Sequence, residues 1–141
     1  MVLASDEMEP FEFVIPQRPV SQQARRRERV RAWTKFVAEC ARKAMDEARP
    51  RATKPVSIGI LFLYDEVAID VDNIPKPILD GLKGFLIEDD AIVTDLHVRC
   101  RRRGTTFTLN DASSVLAKGL QLGNEFVYVT LRDAPAQDIL P

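Results

Sequence analysis

Val56-Ser57-Ile58-Gly59-Ile60-Leu61-Phe62-Leu63-Tyr64 is an almost unbroken apolar run, rich in β-branched and aromatic residues. A strand apolar at nearly every position is buried on both faces, so this one reads as the centre of a sheet with other elements packed over it. Gly59 inside it signals a bulge or a close contact. Downstream, a loop at 65–68 leads through Ile69-Asp70-Val71-Asp72-Asn73 into a short predicted helix from about Ile74 to Lys83, closed by Gly84. A second strand follows over Ile92 to Arg103. Leu96, Val98 and Cys100 share one of its faces, and Asp95, His97, Arg99, Arg101 and Arg103 share the other.

Upstream, Phe11 to Ile15 alternates as a first strand and stops at Pro16 and Pro19. Ser21 is the expected N-cap of a long helix that Pro50 ends. Along it Val30, Trp33, Val37, Cys40, Ala41, Ala44 and Ala48 recur at spacings of three and four, which assigns Trp33 to the core. Towards the end of the chain, Gly104 and Asn110 suggest turns, Asp111 to Leu120 a helix, and Glu125 to Leu131 a last strand. The order β-α-β-α-β-α-β predicts one α/β (α+β) domain, a mixed sheet packed by helices over residues 11–132, between flexible ends at 1–10 and 133–141.

The 141 residues suit one domain, and the 45% hydrophobic and 29% charged content is that of an ordinary globular protein. No stretch approaches the roughly 18 apolar residues of a membrane span, and the start lacks the basic-then-apolar pattern of a signal peptide, so no membrane and a cytoplasmic location are expected. Cys40 and Cys100 have no metal-site spacing and read as reduced packing residues.

The net charge of −1 conceals a segregated distribution. Residues 17–51 hold eleven Lys/Arg against Glu28, Glu39, Asp46 and Glu47; residues 65–96 hold nine Asp/Glu against Lys76 and Lys83; Arg99, Arg101, Arg102 and Arg103 follow. Acid flanked by arginine suits an enzyme acting on a polyanion, because arginines grip phosphate while clustered carboxylates repel it unless metal intervenes. Arg25, Arg26, Arg27, Arg29 and Arg31 crowd the expected helix start, where the dipole disfavours cations, which points to an external phosphate partner. Arg25, Arg26, Arg27 and Arg29, with Arg99, Arg101 and Arg103, are the candidate nucleic-acid contacts. His97, the single histidine, is expected to be a surface or DNA-facing residue.

Asp70 and Asp72, two apart in chain expected to be extended, should point the same way and can share a metal. Asp72 or Asn73 would cap the short helix, and Lys76 and Asp80 continue a charged stripe from Asp72. A second acidic cluster, Glu88-Asp89-Asp90, precedes the next strand. Carboxylates about 5 Å apart repel by about 3 kcal/mol at an effective dielectric near 20, so a fold that joins these clusters needs counter-charge. Lys76 supplies one, and a hard cation such as Mg²⁺ or Mn²⁺ the rest.

Residues 69–99, IDVDNIPKPILDGLKGFLIEDDAIVTDLHVR, resemble the signature of the RusA family of Holliday junction resolvases, roughly DxDNxxKxxxDxL, a short gap, then DDxxV. The resemblance implies a homodimeric endonuclease, dependent on Mg²⁺ with Mn²⁺ as substitute, that resolves four-way DNA junctions in recombination and repair. It also implies that Asp70, Asp72 and Asp90 form an acidic metal-binding triad with Asp89 beside it, and that Lys76 is the catalytic basic residue. A basic residue often found late in the following strand falls on Cys100 here. The competing expectations are a phage or defence nuclease acting on other DNA or RNA, and a non-catalytic DNA-binding module whose acids hold a structural ion.

Overall fold

The apolar run Val56–Tyr64 lies inside a four-stranded sheet in the computed structural model, which describes residues 7–110 and 113–141. The elements follow the order β1 (Phe11–Ile15), α1 (Arg27–Ala44), β2 (Val56–Tyr64), α2 (Pro75–Leu82), β3 (Val93–Arg102), α3 (Ser114–Leu120) and β4 (Phe126–Asp133). In space the strands run β1-β4-β2-β3. β4 is antiparallel to both β1 and β2, whereas β3 is parallel to β2, the pair being joined by the crossover that carries α2. The mixed sheet and single domain are as the sequence predicts.

One sheet face carries the main core. Ile58, Ile60 and Phe62 of β2 stand level with Leu131, Val129 and Val127 of β4, and Phe11, Phe13 and Ile15 of β1 complete the layer. Trp33, Val37 and Ala41 of α1 and Ile78 and Leu82 of α2 are buried in the same cluster. The two helices meet at Gly81: a β-carbon there would stand 2.7 Å from the Thr34 carbonyl oxygen and 3.0 Å from Val37 Cγ1, so only glycine permits this approach. The opposite face is covered in part by α3, whose Gly119 lies over Phe126. Beneath it, the Glu12 carboxylate accepts hydrogen bonds from Ser113 and Tyr128.

Several local expectations are corrected. The long helix starts at Arg27 rather than Ser21, because the Ser21 hydroxyl accepts from Gln23 N and its carbonyl from Ala24 N, which spends the serine on a separate turn. Arg25 and Arg26 therefore precede the helix. It ends at Ala44, six residues before Pro50, where the Asp46 carboxylate accepts from Ala48 N in an Asx turn; Ala44 is exposed and Ala48 lies beyond the helix. Asp72 and Asn73 do not cap α2: Val71–Asn73 form a 3-10 turn closed by Asn73 N donating to Asp70 O at 2.9 Å, and Ile74 occupies the cap position. Asp70 and Asp72 thus do not share an extended segment, and the alternation argument for their common direction fails. Gly59 makes a close cross-strand approach, with Thr130 Oγ1 2.6 Å from a would-be β-carbon, and the register shift falls at Val56/Ser57. The expected start of the third helix, Asp111, lies outside the described residues; Ser113 caps the described helix by accepting from Leu116 N. The last strand runs to Asp133, two residues past the expected Leu131; Asp133 pairs with Val56 and its carboxylate accepts from Met8 N at 2.8 Å. Both cysteines are free, and no described helix is long and apolar enough to cross a membrane.

Candidate active site

The loop leaving β2 is clamped from several sides. Asp65 N donates to Glu125 Oε2 at 2.8 Å, Arg102 Nε donates to Asp65 O at 3.0 Å, and Arg103 Nε meets Asp65 Oδ1 at 2.8 Å. Arg18 Nη1 donates to Val67 O at 2.7 Å and pairs with Glu125 at 3.2 Å, while its guanidinium lies 5.4 Å from the centre of the Phe62 ring. The Cys100 thiol reaches Ile69 O at 3.3 Å. Four side chains, those of Glu125, Arg102, Arg18 and Cys100, thereby fix the backbone of the segment before Asp70, and Arg103 holds the Asp65 carboxylate. Burial is the main reason the Cys100 thiol is pushed up, and the Asp70 carboxylate adds a smaller contribution in the same direction. Gln22 N then donates to Asn73 O at 3.0 Å, tying the arginine-rich segment before α1 to the acidic turn.

Lys76 joins the two halves of the acidic motif. Its ammonium stands 2.9 Å from Asp80 Oδ1, one helical turn on, and 3.1 Å from Asp90 Oδ2, beyond α2. Lys83 adds longer contacts of 3.8 Å to Asp80, 3.9 Å to Asp89 and 3.7 Å to Asp90. The Lys76 pKa is raised, by the hydrogen bond to Asp80 first and that to Asp90 second; the Asp90 carboxyl is held low, by Lys76 first. These groups are partly exposed, so solvent screens the pairs and their effect on stability is small. The Asp90 contribution is present above the ordinary carboxylate range and is lost as pH falls through its depressed folded value. That of Lys76 is present below the ordinary lysine range and is lost as pH rises through its raised value. Lys76→Met is accordingly expected to lower the melting temperature slightly at neutral pH, with the gap to the parent closing in acid. A thermal-melt series in which the gap stays constant from neutral pH to pH 2 would show that Lys76 does not act through Asp90.

The structure brings Lys76, Asp80, Lys83, Asp89 and Asp90 together. Asp70 and Asp72 are exposed and their carboxylates make no ion pair with a described residue. Among the described residues no three carboxylate, imidazole or thiol groups converge closely enough to enclose a metal ion. The donors nevertheless fit Mg²⁺ in kind: they are hard oxygens open to solvent, and Mg²⁺ commonly keeps several waters while taking one or two carboxylates. A dehydrated cage is not what this arrangement offers.

The arginines divide. Arg25, Arg26 and Arg29 are exposed without ion pairs to described residues, and Arg27 bends back to Gln22 O at 3.4 Å. Arg99 and Arg101 alternate with Cys100 and so project to the opposite sheet face, away from the acids, where they line a groove of about 510 Å³ with Phe107 and Tyr128. Arg103 is occupied by Asp65 and by Gly123 O. Sequence reasoning missed Arg18 and Glu125, the clamp on the Asp70 loop, and the bridging of Lys83. A rigid proline-flanked arginine at Pro16-Gln17-Arg18-Pro19 was the available signal for the first.

A search of curated proteins finds no match. A family model described as endodeoxyribonuclease RusA matches residues 15–109, a span that runs from the end of β1 past β3 and contains Asp70, Asp72, Lys76, Asp80, Lys83, Asp89 and Asp90.

Proposed function

The chain belongs to the RusA endodeoxyribonuclease family, and on that premise we propose that it is a Mg²⁺-dependent, structure-selective endonuclease of the cytoplasm that cuts the phosphodiester backbone of branched DNA, four-way junctions first. The observation that carries this reading is the Lys76 bridge between Asp80 on α2 and Asp90 before β3, which gathers the motif's separated halves around one ammonium. Asp70, Asp72, Asp89 and Asp90 would supply oxygen donors to the ion, with Mn²⁺ as a substitute. When bound, the metal supplies charge neutralisation and an activated water at the phosphodiester. Lys76, tethered but solvent-accessible, can turn from its carboxylates to charge growing on a phosphoryl oxygen. Arg25, Arg26, Arg27 and Arg29, tied to the acidic turn through Gln22 and Asn73, would track the backbone that enters the site. A four-way junction presents two equivalent strands, so the working unit would be a homodimer with two-fold symmetry.

The deciding experiment offers synthetic four-way junction, flap, linear duplex and RNA substrates with Mg²⁺ or with chelator. Paired, Mg²⁺-dependent cuts confined to the branched DNA are the expected result. Equal cutting of linear DNA or RNA would overturn the substrate, and binding without turnover would overturn the enzyme. A companion expectation concerns the arginines. The double variant Arg25→Glu, Arg29→Glu should weaken binding to every sequence alike and flatten the salt dependence by about one unit of slope per lost contact. Unchanged affinity would move the DNA path elsewhere.

A further inference from the structure

The groove of about 510 Å³ behind the sheet contains none of the acids or lysines of the cleavage site. Its size falls within the range of roughly 300–1,000 Å³ usual for ligand clefts. Strand register builds the floor. On the face opposite the main core, Leu61 of β2 stands between Arg99 of β3 and Tyr128 of β4, and Leu63 stands between Arg101 and Phe126. In the next row Gly59 contributes no side chain, and a β-carbon there would meet Thr130 Oγ1 at 2.6 Å, so the floor stays open at that end. The segment 107–110 forms one wall and α3 the other.

No carboxylate is among the described residues of this groove, and its charges are the guanidiniums of Arg99 and Arg101. Both are exposed, and neither makes an ion pair with a described residue. Two residues apart on one strand, they share a face with their β-carbons roughly 6–7 Å apart. The rings of Phe107 and Tyr128 line the same space. The Tyr128 hydroxyl is spent on the Glu12 carboxylate, which Ser113 also meets, so the ring is what Tyr128 offers to an occupant. Two cations beside an apolar floor and two rings select an anion that also carries flat apolar faces. Inorganic phosphate would leave the rings and leucines unmatched, and duplex DNA keeps its bases stacked inside. An unpaired strand offers both parts, phosphates for the arginines and free base faces for the rings.

We propose that this groove is a second nucleic-acid site, on the sheet face away from the acids, that holds an unpaired stretch of DNA with phosphates on Arg99 and Arg101 and a base against Phe107 and Tyr128. The choice of DNA rests on the nuclease reading above, whereas the site itself needs neither metal nor cleavage. It gives a branched substrate with a single-stranded tail a hold separate from the place of cutting.

Fluorescence anisotropy of a short labelled oligothymidine, measured with chelator so that no cutting intervenes, tests it. The parent should bind, and Phe107→Ala should weaken binding by about fivefold or more through lost stacking. The double variant Arg99→Gln, Arg101→Gln should weaken it too and flatten the salt dependence by about 0.7 unit of slope per lost contact. A blunt duplex of the same length should lose much less affinity in either variant. An oligothymidine carrying iododeoxyuridine, irradiated on the parent, should cross-link to Phe107 or Tyr128. A parent that binds no single strand at low salt, variants as tight as the parent, or a duplex weakened as much as the single strand would each overturn the proposal. Free thymidine monophosphate that displaces the strand at equal phosphate concentration would overturn the strand as occupant. Should a variant fail to fold, the cross-link on the parent decides: adducts confined to residues outside the groove overturn the site. Single-strand binding by a chain that cuts no branched DNA would overturn the cleavage reading alone, and cutting without single-strand binding would overturn this site alone.

Discussion

Asp70→Asn and Asp90→Asn are each expected to reduce Mg²⁺-dependent cleavage of a four-way junction by about 10²–10³-fold or more while leaving the fold intact. Both halves of that expectation come from the site. Asparagine keeps the shape of the side chain but removes the charge that a hard cation needs. The Asp70 carboxylate accepts no hydrogen bond from a described residue, so its neutralisation breaks no structural contact; the Asn73 N bond goes to the Asp70 backbone carbonyl and survives. Asp90 is tied to the partly exposed ammoniums of Lys76 and Lys83 and to the Asp89 side chain, and partly exposed pairs of this kind contribute little to stability. Mg²⁺ should raise the melting temperature of the parent, since it binds the folded arrangement, and raise it less in either variant. That calorimetric readout separates a lost metal contact from a lost chemical step. If both variants stayed folded and cleaved at the parental rate, this cluster would not be the active site.

The legible part of the fold was the part in which one physical requirement acts alone. Val56–Tyr64 is apolar on both faces because β4 and β3 flank it and helices lie over it, and that requirement is written residue by residue. The alternation of β3 and the glycine closing α2 were legible for the same reason, Gly84 having a φ of +93 that side chains disfavour. Helix ends were less so, because a cap is a competition. Ser21 has the right chemistry for an N-cap, but its hydroxyl is already engaged by Gln23 N, and nothing in the local sequence shows that Gln22 will be held by Asn73 fifty residues away.

The candidate site divides in the same way. Lys76 and Asp80 are one helical turn apart, so their pairing follows from spacing. That Asp90 would close on the same ammonium follows from the crossover geometry, and that Asp72 would fall inside a 3-10 turn follows from a backbone bond to Asp70. Strand alternation was visible in the sequence and still gave an incomplete account of the arginines. It separated Arg99 and Arg101 from Cys100 but could not say which face of the sheet the acids would occupy. The Arg18–Glu125 clamp was beyond reach because its partners are separated by most of the chain.

Phe62→Ala is the substitution expected to cost the most stability, about 3–5 kcal/mol, a large share of the roughly 5–15 kcal/mol that holds a domain of this size together. The ring is fully buried, stands level with Val127 on one side and Cys100 on the other, and meets Tyr64 at a centroid distance of 6.0 Å. β-Sheet neighbours cannot collapse into the space without breaking register, so the cavity should persist. Urea unfolding should show a lower midpoint with an unchanged slope, because the surface exposed on unfolding is nearly the same. The loss should also reach the site. Arg18 rests over this ring while holding Val67 O and Glu125, and the loop it holds delivers Asp70. Cleavage by Phe62→Ala should therefore fall even at temperatures where the variant is folded. Arg18→Gln should separate the two effects, since it releases the loop but leaves the ring and its packing in place: stability close to the parent, with cleavage reduced by about tenfold or more as the carboxylate loses its fixed position. A Phe62→Ala cost below about 1.5 kcal/mol would contradict the central placement of this residue, and an Arg18→Gln variant with parental cleavage would show that the clamp does not position Asp70.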